Sequence, residues 1–206
     1  MKYAPDQIHQ ETADILNLMA ETGQTPNVLT EGILIPLPKP KKKNQPKINL
    51  RPIILLSTLR KITAICLMDR IWDRLKEHIP KSQAAYQPGR STTEEVFAIK
   101  TLAEKAVISS EYKIYLLMVD MSKAFDTVDR NSLFTQLKEI LNQDELHLLY
   151  TMINNVKIKV RVNKTESNFF LTNIGVCLGD CLSAILFIFY LAKSSSSSSS
   201  SSYILD

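Results

Sequence analysis

The stretch Tyr115-Leu-Leu-Met-Val-Asp120-Met-Ser-Lys-Ala-Phe125-Asp126 carries most of our prediction for the fold of this chain. The apolar run Ile114 to Val119 predicts a buried strand that ends at a carboxylate. A second carboxylate, Asp126, follows an aromatic residue. Carboxylate oxygens suit Mg²⁺, which usually shares its coordination shell with phosphates and water. An aspartate at a strand end can equally form a turn or cap a helix, so both roles stay open from this stretch alone.

Helices and strands are predicted on both sides of this stretch. Helical spacing and capping residues predict helices over 5–20, 58–78 with Ser57 as the cap, 93–108, 131–141 after Asp129, 145–154 after Asp144, and 182–193. Apolar runs and alternation predict strands over 33–37, 50–55, 156–162 and 169–174, with the first two forming a hairpin. The strands and helices do not alternate as regular βαβ units, so we expect an α+β fold.

The positive charge of the chain is concentrated in one region. Net charge is only +4, yet residues 32–68 contain eight Lys or Arg and no Asp or Glu. A one-sided run of this kind is typical of a surface that meets nucleic acid or nucleotide phosphates. A solvated basic loop is the simpler reading, because five of the eight are lysines between Lys39 and Lys47.

Cysteine usage and hydropathy bear on the compartment. The three cysteines, Cys66, Cys177 and Cys181, have no histidine or zinc-like partners nearby, so we predict reduced and mostly packed thiols. The N-terminus carries no apolar signal region. The apolar stretch from Ala184 to Ala192 has nine residues, too few to cross a bilayer. These features lead us to expect an intracellular protein, in the cytoplasm or the nucleus.

A tract of nine serines, Ser194 to Ser202, follows the last apolar segment. Polyserine cannot form a core, so we predict a disordered tail there. The predicted organisation is then a helical lead-in over residues 1–32, one α+β domain over 33–193, and the tail over 194–206.

Three further segments lie in a fixed order around the first one. They are Leu34-Ile-Pro-Leu-Pro-Lys39 with Arg51-Pro52-Ile53, then Gln83-Ala-Ala-Tyr-Gln-Pro-Gly-Arg-Ser-Thr92, and finally Gly175-Val-Cys-Leu-Gly-Asp-Cys-Leu-Ser183. With the Asp120 segment third of the four, the set resembles the reverse transcriptase domain of non-LTR (LINE-type) retrotransposons. The resemblance covers residues 33 to 193. No one motif is decisive, but all four in order make coincidence improbable.

This resemblance implies the fingers and a partial palm of a right-hand polymerase, with the thumb absent. The activity it implies is RNA-directed DNA polymerisation with Mg²⁺, acting on an RNA template, a DNA primer and a deoxynucleoside triphosphate. By resemblance, Asp120 is the catalytic, metal-binding aspartate. Phe125 falls at the aromatic residue that crowds a ribose 2′-hydroxyl, although by its sequence alone it reads as a plain core phenylalanine.

Other residues receive roles from the same resemblance. Lys39 and Arg51 fall where similar enzymes contact the triphosphate, and the guanidinium fork suits phosphate oxygens. Gly179 would let the backbone approach the nucleotide closely. Asp126 and Asp180 are either secondary site residues or structural ones, and a turn-capping role is at least as plausible for Asp126.

The chain also departs from the family pattern. Leu178 stands where similar enzymes usually carry glutamine, and no Tyr-x-Asp-Asp segment is present. The end of the sequence, Tyr203-Ile-Leu-Asp206, has a leucine where the essential carboxylate should be. We therefore expect this chain to be inactive as a polymerase. The alternatives are a non-catalytic nucleic-acid-binding fragment, which would use the basic fingers and the Lys157–Arg161 face, or a product with no activity.

Overall fold

The computed structural model of the protein describes residues 5–38, 50–109, 113–154 and 156–198. Seven helices are described: α1 (Asp6–Thr22), α2 (Asn27–Thr30), α3 (Thr58–Lys76), α4 (Thr92–Ile108), α5 (Arg130–Leu137), α6 (Gln143–Asn154) and α7 (Cys181–Ser198). Five strands are described with them: β1 (Glu31–Pro38), β2 (Leu50–Leu56), β3 (Lys157–Val162), β4 (Thr165–Glu166) and β5 (Phe170–Leu171). The mixture of helices with one mainly antiparallel sheet confirms the α+β class.

The sheet is built on the predicted hairpin. β1 and β2 pair antiparallel, with Gly32 opposite Leu56 and Pro38 opposite Leu50. β3 then adds parallel to the other side of β1, which places Glu31 opposite Lys157. β4 and β5 both pair antiparallel with β3, and the strand order is β2-β1-β3-β4. The hairpin and the strand over 157–162 are therefore confirmed.

Capping residues set most helix starts where the sequence predicts them. The side chain of Ser57 accepts a hydrogen bond from the backbone N–H of Arg60, and that of Asp129 accepts one from Asn131. The cap of α4 is Ser91, which forms a capping box with Glu94, rather than a threonine that follows it.

The start of α6 also differs from the prediction by a short distance. The side chain of Asn142 accepts the backbone N–H of Glu145, so Asn142 takes the capping role that we predicted for Asp144.

The main core lies between α3, α5, α6 and α7, and the apolar face of α3 is rotated from the predicted one. Its buried positions are Arg60, Thr63, Ala64, Leu67, Ile71 and Leu75. Of the predicted apolar positions, Ile71 and Leu75 are buried, while Leu59 and Ile62 are half-buried and Cys66 is exposed. The prediction of a packed Cys66 is therefore wrong, and Cys177 is the buried thiol.

The predicted strand before Asp120 is wrong. Residues 113–121 form no regular secondary structure, and the side chains of Tyr115 and Leu117 are 89% and 87% exposed. A strand needs a neighbouring strand to satisfy its backbone groups. Within the described ranges, every strand of the sheet pairs with other strands and none pairs with this segment.

Helix α7 continues beyond its predicted end. It runs to Ser198, five residues into the serine tract, so the predicted irregular tail does not begin at Ser194. The apolar, buried first half of the helix supports this extension, and the hydroxyl of Ser194 donates to the carbonyl of Tyr190. Among the described residues, we find no helix with the length and hydropathy needed to cross a membrane.

Candidate functional site

A tight turn presents Phe125 and Asp126 between α4 and α5. Lys123 has a left-handed backbone (φ 53°), and residues Ala124–Thr127 form a single 3₁₀ turn. The Phe125 ring stacks on Phe187 of α7, with the ring centroids 4.6 Å apart. Burial raises the pKa of Asp126, although the nearby Lys123 acts in the opposite direction. The turn therefore holds an aromatic face and a partly desolvated carboxyl side by side.

Backbone hydrogen bonds join this turn to the start of the Gly175–Ser183 loop. The N–H of Val176 donates to the carbonyl of Phe125, and that of Gly175 donates to Val128, each over 2.9 Å. Gly175 has φ 79°, and a Cβ there would lie 2.7 Å from the carbonyl oxygen of Asp126. Only glycine suits this approach. The third and fourth segments of the sequence motif set therefore form one structural unit.

The Gly175–Ser183 loop is held in turn against strand β2. The N–H of Ile54 donates to the carbonyl of Leu178 over 2.9 Å. Gly179 has φ 119°, and a Cβ there would overlap the carbonyl oxygen of Ile54. The hydroxyl of Ser183 donates to the carbonyl of Cys177 over 2.7 Å, which closes the loop. Gly179 does permit a close backbone approach, but here the partner is strand β2.

A buried ion pair fixes the end of this loop. Arg60 is 1% exposed, and its Nε donates to Oδ2 of Asp180 over 3.0 Å. The two terminal nitrogens of the guanidinium donate to the carbonyls of Leu29 and Met152, each over 2.6 Å. One side chain thus connects α2, α3, α6 and the loop. In the described contacts Asp180 serves as the counter-ion of Arg60.

A second buried arginine holds the approach to the loop. Arg130 donates from Nε to the carbonyl of Gly175 over 2.8 Å, and its terminal nitrogens donate to Thr172 and to the carbonyl of Ile174. Burial lowers the pKa of Arg130. A cavity of about 290 Å³ borders Arg130, Asp126 and the loop.

The predicted site residues fall into three groups. Phe125, Asp126 and Gly179 lie on the connected turn and loop just described. Arg51 lies exposed on β2, opposite Leu37, near the end of the hairpin where the chain passes from β1 to β2. Lys39, with the lysines over 41–47, lies outside the described residues.

Asp120 lies on the exposed segment 113–121, which has no regular secondary structure and leads into the Phe125 turn. In the ranges that the structure describes, no three His, Cys, Asp or Glu side chains come together as a metal site.

The basic face of β3 contacts one acidic side chain. The carboxylate of Glu166 pairs with both Lys159 and Arg161, and these hydrogen bonds hold the pKa of Glu166 below its usual value. Glu166 offsets only one of the three positive charges on this strand, so the cationic face over Lys157–Arg161 stays a prediction.

Sequence reasoning missed the role of Arg60, although a signal was present. Helical spacing places position 60 on the same face of α3 as four apolar residues, namely Ala64, Leu67, Ile71 and Leu75. An arginine on the buried face of a helix calls for a buried acceptor, and Asp180 is that partner. Arg130 carried no comparable signal, because its acceptors are backbone carbonyls of a distant loop.

The sequence of this chain is similar to those of known proteins. Residues 38–204 match the family described as reverse transcriptase (RNA-dependent DNA polymerase). The chain is 28% identical over 151 residues to a probable RNA-directed DNA polymerase from transposon BS of Drosophila melanogaster, covering 72% of this chain and 17% of that protein. It is 24% identical over 194 residues to the RNA-directed DNA polymerase from mobile element jockey of Drosophila funebris, covering 93% and 21%.

A third relative is an uncharacterized 149 kDa protein of transposon TX1 from Xenopus laevis, with 31% identity over 150 residues, 72% of this chain and 11% of that protein. Among solved structures, apo telomerase from Candida tropicalis, truncated from its C-terminal domain, matches with a TM-score of 0.53 and 15% identity. That match covers 92% of this chain and 44% of the telomerase chain, and it bears on the fold alone.

The chain thus spans about a fifth or less of the length of these curated relatives. The family match covers most of the chain, and the related proteins belong to mobile elements. The chain belongs to the reverse transcriptase family and carries the reverse transcriptase domain of the non-LTR retrotransposon type.

Proposed function

We propose that this chain forms the fingers and part of the palm of an RNA-directed DNA polymerase, and that it binds single-stranded nucleic acid and nucleotide phosphates without completing catalysis alone. The observation that carries the proposal is the connection of the Phe125 turn to the Gly175–Ser183 loop and of that loop to β2. A nucleotide site needs an aromatic wall, a close backbone and cations around one space. The turn and the loop supply the first two.

The phosphate contacts are assigned to the hairpin. Arg51 lies on β2, the strand on which the loop rests, and Lys39 directly follows β1 in the sequence. Arginine can hold phosphate oxygens with two parallel hydrogen bonds, while lysine acts as a point charge. Phe125 would then face the sugar of the nucleotide, and Gly179 would let the loop backbone lie close to it.

Mg²⁺ enters this proposal only as a weakly held ion. Asp120 would contribute one carboxylate, and Mg²⁺ would neutralise phosphate charge when bound. Because the described residues do not assemble the remaining ligands, we assign no catalytic step to the metal in this chain. An RNA template, a DNA primer and a deoxynucleoside triphosphate are the partners proposed for the longer polymerase. An intracellular setting is part of the proposal and is supported by three free cysteines.

Salt-dependent binding of a single-stranded oligonucleotide tests the proposal. Affinity should fall linearly with salt on a double logarithmic plot, because bound cations release counter-ions from phosphates. Changing Lys41, Lys42, Lys43 and Lys47 together to Gln should reduce the slope by about 1 to 3, since each phosphate contact contributes about 0.7 on single strands. Fluorescence anisotropy of a labelled RNA measures both quantities.

The matched control changes four exposed lysines elsewhere, Lys105, Lys113, Lys138 and Lys164, to Gln. This variant has the same net charge as the first one, and it should keep most of the slope. Equal slopes in the two variants would mean that net charge alone drives binding. Absence of binding at low salt would defeat the proposal.

A further inference from the structure

Three aromatic rings form a ladder at the edge of the candidate site. Phe187 on α7 is buried, and Phe125 stacks on it with an interplanar angle of 27°. Tyr86 then meets Phe125 edge to face, with the centroids 5.9 Å apart and the planes at 89°. Tyr86 is 55% exposed, so it forms the outer end of the ladder. The Phe125 ring therefore lies between a buried ring and an exposed one.

Tyr86 occupies a backbone conformation that L-amino acids rarely adopt. Its φ is 61°, in the left-handed region. Glycine or asparagine adopts this backbone conformation with less strain than tyrosine does. Strain of this kind persists only where surrounding contacts impose it, and it tends to mark functional positions. An exposed tyrosine has no need of this conformation for burial. Its observed contact is with Phe125.

The loop around Tyr86 is cross-linked by polar contacts. The Gln87 amide donates to the carbonyl of Gln83, and the Arg90 guanidinium donates to the carbonyl of Lys81 over 2.8 Å. Arg90 also pairs with Glu94 in the first turn of α4, at 2.7 Å. These contacts anchor the loop at both ends. Tyr86 is thereby held at a set place against Phe125.

The Phe125 backbone is fixed, but its ring is positioned only by its neighbours. The carbonyl of Phe125 accepts from Val176, which sets the main chain. The ring can still rotate about its side-chain bonds unless packing blocks the other rotamers. Phe187 stacks on one face of the Phe125 ring, and Tyr86 makes an edge-to-face contact with the same ring. Removing Tyr86 would free the ring on that side.

We propose that Tyr86 is a positioning residue for the Phe125 ring and, through it, a determinant of the choice between deoxyribose and ribose in a bound nucleotide. This inference rests on the proposed function, which assigns the sugar contact to Phe125. Tyr86 acts through Phe125 and need not touch the nucleotide. Its ring, rather than its hydroxyl, makes the observed contact, so phenylalanine should replace it.

The test compares the dissociation constants of dGTP and GTP. Each is titrated with Mg²⁺ into the full chain in the presence of an annealed RNA template and DNA primer, and binding is followed by NMR. The wild-type chain should prefer dGTP, and Phe125→Ala should abolish that preference. Tyr86→Ala should reduce the preference at least threefold, and Tyr86→Phe should keep it. Tyr115→Ala, which removes an 89% exposed tyrosine outside the ladder, should leave it unchanged.

Each outcome separates the two proposals. If Phe125→Ala leaves the preference intact, the sugar role proposed for Phe125 is wrong. If Phe125→Ala abolishes it and Tyr86→Ala does not change it, the positioning role of Tyr86 is wrong while the proposed function stands. If no variant binds nucleotide, the proposed nucleotide site is wrong. A double-mutant cycle of Tyr86 and Phe125, measured by denaturation, then tests the contact between the two rings. Strictly additive shifts of the denaturation midpoint would mean that the rings do not interact.

Discussion

Individual buried charged residues hold together segments of this domain that are distant in sequence. Arg60 and Arg130 each place a guanidinium among backbone carbonyls of segments far apart in sequence. Glu145 does the converse, because its buried carboxylate accepts from Arg70 and Arg74 of α3. Buried charges are tolerated only when their hydrogen bonds are satisfied. Each of these residues should therefore be sensitive to substitution in a way that depends on its partner.

Arg60→Met should destabilise the chain by about 3–5 kcal/mol, because it leaves the buried carboxylate of Asp180 without its charge partner. Asp180→Asn should cost less. The double variant should lose less than the sum of the single losses, by about 1–3 kcal/mol, since the two residues share one interaction. Urea denaturation followed by circular dichroism measures the three values.

Lys61→Met is the matched control for this cycle, because Lys61 is the exposed neighbour of Arg60. Its effect should stay within about 0.5 kcal/mol. Additive losses for Arg60 and Asp180 would contradict the ion pair.

Glu145→Gln should destabilise the chain at neutral pH and not in acid. Burial acts to raise the pKa of Glu145, but hydrogen bonds from Arg74, the Asn142 backbone and Arg70 together hold it below the usual value of 4.5. A carboxyl with a lowered folded pKa contributes stability above its unfolded pKa and loses it as pH falls through the folded pKa. We expect a loss of about 1–3 kcal/mol at pH 7.

The difference between wild type and Glu145→Gln should shrink as pH falls from about 4.5 towards the lower folded pKa. Denaturation curves of both proteins at pH 7, 5, 4 and 3 measure this difference in the free energy of unfolding. Glu139→Gln, at an exposed position just before α6, should show little loss at any of these values. A loss for Glu145→Gln that stays constant with pH would mean that packing, and not charge, is responsible.

At the scale of elements, two segments expose large apolar side chains. One is the irregular segment 113–121, and the other is α4, which buries no residue although it carries Val96, Phe97 and Leu102. A monomeric protein rarely exposes a continuous apolar surface of this extent, and unpaired strand-forming segments promote association. Both segments should therefore dominate the solubility of the chain.

Changing Leu117 and Val119 together to Lys should leave the unfolding free energy within about 0.5 kcal/mol of wild type and should raise the soluble fraction. Both side chains are exposed, so charge there costs no burial and opposes association. Size-exclusion chromatography and urea denaturation give the two measurements. Leu133→Lys, in the buried core, should unfold the chain. If the Leu117/Val119 variant unfolds, these side chains are buried in the folded chain, and the strand that the sequence predicts is correct.

At the scale of the whole molecule, the described residues form two hydrophobic clusters that one loop connects. Helices α3, α5, α6 and α7 pack into the main cluster, while Ile54, Leu56, Val156, Ile158 and Cys177 form a smaller one under the sheet. The Gly175–Ser183 loop joins the two, because Val176 belongs to the first cluster and Cys177 to the second. The candidate site thus lies where the sheet meets the helices.

The purified chain should not extend a DNA primer on an RNA template with Mg²⁺ or Mn²⁺. Phosphoryl transfer depends almost entirely on positioning and charge neutralisation, and the described residues do not assemble a metal site. A template-dependent extension assay with a labelled primer measures this directly. Extension by the wild-type chain that disappears in Asp120→Ala would show that other carboxylates complete the site.

Several elements could be predicted from local patterns alone. Two short apolar runs around a Lys- and Pro-rich turn predicted the hairpin, and alternation predicted β3. Ser57 and Asp129 marked the starts of α3 and α5. Capping and periodicity depend on residues only a few positions apart, so they can be read along the chain. The order of four motifs was enough to identify the family.

Contacts between residues that are distant in sequence could not be predicted from these local patterns. The apolar run before Asp120 has strong strand character, yet a strand forms only where a partner satisfies its backbone, and the described sheet offers it none. Arg60 and Asp180 are 120 residues apart, and helical spacing indicates a buried position for Arg60 without indicating its partner. Only the packing of α3 against α7 and the loop before it brings them together. Local patterns specify helices and strands, but which charges are buried, and which apolar runs find a partner, depends on how those elements pack.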